Sequence, residues 1–128
     1  MTFKKKILVI IAVVVGFDVV ASAASRLLQF DYTNLILVSL AIYLAAGYWG
    51  AHKQGFLFGL LLGALAGVTD ATIGWWVSTL IHPFSRMRIP PLELSLQFII
   101  LVVVTALAFG LGFVGAAICK ILGQTKSA

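Results

Sequence analysis

The chain has 128 residues, 62% of them hydrophobic and 10% charged, with a net charge of +5 and a mean hydropathy of +1.12. Soluble domains run at about 45–50% apolar and about 25% charged, so a soluble fold of this composition could not cover its own core. The same values exclude disorder, and the single cysteine, Cys119, excludes a disulfide scaffold.

What remains is a polytopic membrane protein with lipid as its solvent. Charged residues cut the chain into blocks that each reach the roughly 20 apolar positions a spanning helix needs. Four spans are expected, at about 7–25, 33–51, 55–81 and 94–119. They would form one all-α domain over residues 1–128, a compact four-helix transmembrane bundle. The runs Val13–Val15 and Val102–Val104 favour strands locally. A transmembrane barrel, however, needs alternating polar and apolar residues in segments of about ten, and that alternation is missing.

The first span follows Lys4, Lys5 and Lys6 and imitates a secretory signal, with Ala21-Ser22-Ala23 as an A-x-A site. The polar Asp18 behind the apolar run argues against cleavage. Asp18 shares a helical strip with Ser22 and Ser25, and Arg26 closes that strip. Residues 26–33 form the first loop. On the second span Ser39, Tyr43, Ala46 and Gly50 make one smooth row, and Tyr48 and Trp49 end it at headgroup level. Residues 52–54 make a tight turn.

The third span carries the most specific pattern, Gly55, Gly59, Gly63 and Gly67, at a strict spacing of four. On a wheel they fall near 0°, 40°, 80° and 120°, with Gly74 near 100° and Asp70 near 60°. Lipid supplies no hydrophobic drive between helices, so rows of small residues let backbones approach closely. Two backbones are expected to meet along this stripe, and Asp70 should face that contact. Trp75 and Trp76 would anchor the other end at the interface. The link over 82–92 holds Pro83, Pro90 and Pro91, and its Arg86 and Arg88 suggest a segment lying at the membrane surface. The fourth span has a matching row of Ala108, Gly112 and Ala116, beside Thr105 and Gly115.

Orientation follows from the cations. Lys4, Lys5, Lys6, Lys53, Lys120 and Lys126 share one side, which has no acid. The other side balances Arg26, Arg86 and Arg88 against Asp31 and Glu93. Positive loops stay in the cytoplasm, so both termini are expected there, with a bacterial inner membrane as the location. Because the cations sit in separate loops and tails, the positive charge is a topology signal and nucleic acid is not an expected partner.

Motifs for chemistry are missing. His52 and His82 are expected on opposite faces, and no metal, nucleophile-elbow or phosphate-loop pattern occurs. No enzymatic activity, metal or cofactor is expected. Two functions compete. In the first, the glycine-lined faces make the chain an assembly subunit, a homo-oligomer or a component held by other membrane proteins. In the second, it is a small proton- or cation-coupled transporter or channel using Asp18 and Asp70. Burial and a like-charged neighbour are the devices that tune a carboxylate for proton exchange. As mere packing groups, these acids should bond to Ser22, Thr69, Thr72 or backbone carbonyls.

Overall fold

The computed structural model describes residues 2–84 and 94–125. Its helices are α1 (Phe3–Leu28), α2 (Ile36–Ala51), α3 (Phe56–Thr69), α4 (Trp75–Ile81) and α5 (Leu94–Thr125). A 3₁₀ turn, Tyr32–Leu35, leads into α2, and a π-helical segment, Asp70–Gly74, joins α3 to α4. No strand occurs among the described residues. Four stretches are long and apolar enough to cross a membrane: Phe3–Leu28, Tyr32–Ala51, Phe56–Ile81 and Leu94–Gly123. They agree with the four expected spans to within four residues at every end, the third beginning one residue later than expected.

Polarity is inverted relative to a water-soluble fold. Leu8, Val20, Leu27, Leu57, Phe98 and Ile99 are exposed, while Lys6, Asp18, Ser22, Ser25 and Thr69 are buried. A chain in water would do the reverse. The buried residues of α1 (Lys6, Ile10, Val14, Asp18, Ala21, Ser22, Ser25) form a single seam at steps of three and four. This is the one face of α1 turned inward.

Helices α2, α3 and α5 pack on one another as a tight trio, and α1 lies across α3, the π segment and α4. Glycine makes the trio possible. A Cβ built on Gly63 would lie 2.5 Å from Gly112 Cα, and one on Gly112 would lie 2.8 Å from Gly63 Cα. Gly67 packs on Ala108 and Gly59 on Ala116, while Gly47 of α2 abuts the Gly112 carbonyl. The glycine stripe therefore meets α5 of the same chain.

Two members of the stripe do something else. Gly55 makes no helix contact, since a Cβ there would meet nothing within 4 Å. Its φ of 98° lets it close the turn before α3, which is a glycine conformation. Gly74 meets carboxylates and not a helix backbone. The third span also departs from one continuous α-helix. Trp75 N–H bonds the Asp70 carbonyl in the i→i+5 pattern. Thr69 Oγ1 donates to the Leu65 carbonyl at 2.8 Å and Thr72 Oγ1 to the Val68 carbonyl at 2.6 Å. Threonine hydroxyls bonded to i−4 carbonyls often bend a helix, and these two flank the start of the π segment.

The two ends of α1 are tied down. At one end Lys6 Nζ donates to the carbonyls of Trp49 (2.7 Å) and His52 (3.0 Å). At the other, Arg26 Nη1 donates to the Ile81 carbonyl at 2.9 Å. Ser25 Oγ donates to the carbonyls of Phe30 (2.7 Å) and Phe84 (3.0 Å). These are called the Lys6 end and the Arg26 end below.

Candidate functional site

Asp18 sits on the inward seam of α1, 1% exposed. Asp70 opens the π segment, half-buried, on the helix that α1 crosses. The missing side chain of Gly74 lets them meet. A Cβ on Gly74 would collide with Asp18 Oδ2 and would lie 3.0 Å from Asp70 Oδ1. Two carboxyls from different spans thus converge on one bare position.

Their partners are phenols. Tyr32 OH donates to Asp18 Oδ1 at 3.1 Å, and Tyr43 OH donates to Asp70 Oδ2. Local sequence places both rings. Gln29, at φ 53°, ends α1 in the left-handed conformation that commonly closes helices. Asp31 then caps the 3₁₀ turn, its Oδ1 accepting from Thr33 N (3.0 Å) and Thr33 Oγ1 (2.8 Å). Tyr32 N–H donates to the Phe84 carbonyl at 3.1 Å, which fixes the ring over Asp18. Tyr43 projects from the buried face of α2.

Hydroxyls continue the cluster toward the Arg26 end. Tyr32 OH lies 3.3 Å from Ser78 Oγ, which lies 3.2 Å from Ser22 Oγ. Asp18 Oδ2 is buried and has no hydrogen-bond donor among the described residues. Across Gly74, the group facing it is the Asp70 carboxyl. Burying an unsatisfied carboxylate oxygen is expensive, and burying two carboxylates together more so.

The remaining expected site residues are dispersed. Trp49 packs at the Lys6 end, where Lys6 Nζ lies 5.3 Å from its ring. Trp75 lines a lateral groove with Thr72, Leu94 and Phe98, and Trp76 is exposed. Arg86 and Arg88 lie outside the described residues. Gly59, Gly63, Gly67 and Gly112 are packing positions, whereas Gly55 is a turn residue and Gly74 belongs to the acidic site. The expected bonds from the acids to Thr69 and Thr72 do not form, because both hydroxyls are taken by backbone carbonyls. Ser22 bonds Ser78 instead of an acid.

Sequence reasoning missed Tyr32 and Tyr43 as members of the site. Tyr43 carried a signal, since a phenol within an apolar span must find a partner for its hydroxyl. Among the described residues, no group of three or more His, Cys, Asp or Glu is placed to hold a metal. No protein-family model, curated protein or solved structure matches this chain.

Proposed function

We propose that this is an integral membrane protein of the bacterial inner membrane, with both termini cytoplasmic, in which Asp18 and Asp70 take up and release a proton as part of coupled transport. One observation carries the reading: the fully buried Asp18 Oδ2 has no donor among the described residues and faces a second carboxyl. A proton held between the two acids supplies that donor and removes one of two like charges from a low-dielectric site. Ionisable residues inside a bundle that pair with each other are the usual parts of proton paths.

An assembly role through the glycine rows rests on a surface that is used within the chain. Gly59, Gly63, Gly67 and Gly112 already have intrachain partners, so an oligomer would have to form on other faces. The deciding measurement is proton flux in liposomes containing the purified protein under an imposed pH gradient. Asp70→Asn keeps the shape and a hydrogen bond to Tyr43 but cannot titrate. Flux in the wild type that disappears in Asp70→Asn, with the fold intact, supports transport. Equal flux in both, or none above empty liposomes in either, removes the proton role.

A further inference from the structure

We infer that, in this conformation of a transport cycle, the acidic pair exchanges its proton with the Arg26 side only, through a hydroxyl relay of Tyr32 and Ser78, while the Lys6 side is sealed by apolar packing. The inference rests on the proton reading above and adds the route and its direction. Asp18 Oδ1 accepts from Tyr32 OH at 3.1 Å, and that phenolic oxygen lies 3.3 Å from Ser78 Oγ. Ser22 Oγ, at 3.2 Å, holds Ser78 in line. Ser78 is itself half-buried and stands one turn, about 6 Å along the axis, from the exposed His82. Hydroxyls therefore lead from the pair to within one turn of the end of α4.

Among the described residues no such chain leads the other way: the Thr69 hydroxyl is committed to the Leu65 carbonyl, and the buried Thr105 Oγ1 has no hydrogen-bond partner. Between Asp18 and Lys6 the buried face of α1 presents only Val14 and Ile10, over about 18 Å of helix. Leu62, Ala66 and Ala46, all at most 1% exposed, pack into the same core. The asymmetry is one of chemistry and not of distance alone.

A proton delivered by water to Ser78 Oγ releases the serine's own hydroxyl proton to the Tyr32 oxygen. The phenolic proton then passes to Asp18 Oδ1, and a half-turn of that carboxyl about its Cβ–Cγ bond presents it to Asp70. Each step breaks one O–H bond and forms the next, no electrons are transferred, and one proton moves from water to the carboxylate. Reorientation of the two hydroxyls resets the chain. Asp18, Asp70, Tyr32 and Tyr43 are the titratable groups that α1, the π segment, the 3₁₀ turn and α2 direct at this point. The apolar block 94–119 of α5 contributes no charged residue.

Time-resolved infrared spectroscopy of the full chain in liposomes after a pH jump tests this. The carboxyl band assigned by its loss in Asp70→Asn reports the pair. Ser78→Ala leaves the Tyr32–Asp18 bond in place, so the band should persist with the same titration midpoint but respond about tenfold or more slowly. Tyr32→Phe should slow it comparably. Unchanged rates in both variants would overturn the relay while leaving the proton reading standing. A wild type with no pH-responsive band that Asp70→Asn removes would overturn both.

Discussion

Lys6 is a buried cation in an apolar helix, and its partners explain the placement. The last carbonyls of a helix lack intrahelical donors and carry the negative end of the helix dipole. Lys6 Nζ satisfies two carbonyls at the end of α2, those of Trp49 and His52, and lies over the Trp49 ring. Hydrogen bonds from charged groups contribute about 1.5–3 kcal/mol, so Lys6→Met should cost about that much in detergent stability. The neighbouring Lys5 is exposed, and Lys5→Met should leave the melting temperature unchanged. Equal melting of the two variants would show that the Lys6 tie contributes nothing. At Asp18 the same logic runs without a cation: its partner is a phenol, and one oxygen is left for a proton.

Among elements, the α3–α5 contact is where shape decides most. A glycine on each side brings Gly63 and Gly112 backbones together, and any larger residue must push the helices apart. Overpacking a core typically costs about 1–3 kcal/mol, and here the clash is with backbone that cannot yield, so Gly63→Leu should reach at least that range. Leu61, 56% exposed, lies on the outward side of the same helix. Leu61→Ala should stay within about 0.5 kcal/mol. Thermal unfolding in detergent compares them, and a tolerated Gly63→Leu would show that the helices do not meet at this row. The π segment is the other decisive element. Its wider turn sets Asp70 beside the bare Gly74 position, where the Asp18 carboxyl of α1 meets it, a role that π turns often take at functional sites.

For the molecule as a whole, the bundle has two chemically different ends. The Lys6 end adds Lys4, Lys5, Lys53 and Lys120 to the buried Lys6, whereas the Arg26 end carries the caps and hydroxyls of the candidate path. The lysine excess predicts that the first end is cytoplasmic. In a Cys119→Ala background, Asn34→Cys should be labelled by an impermeant thiol reagent from outside intact cells, and His52→Cys only after lysis. The reverse pattern would invert the topology and, with it, the side from which the relay is loaded.

Composition and periodicity were enough to make four apolar helices legible, along with the small-residue rows of α3 and α5 and the inward strip Asp18–Ser22–Ser25. Each of these is set by local chemistry: a lipid-compatible block must be helical, and its small or polar positions must turn away from lipid. The partner of the glycine stripe could not be read this way, because a bare face does not name what it touches. Pairing of Gly63 with Gly112 is a property of the folded trio. Nor could the wheel follow the chain beyond Thr69, since it assumes α geometry and the ladder passes there to i→i+5. The meeting of Asp18 with Asp70, and their capture by Tyr32 and Tyr43, joins residues from four elements. Only the tertiary structure decides such a contact, because it depends on how α1 crosses the third span and not on the spacing within either.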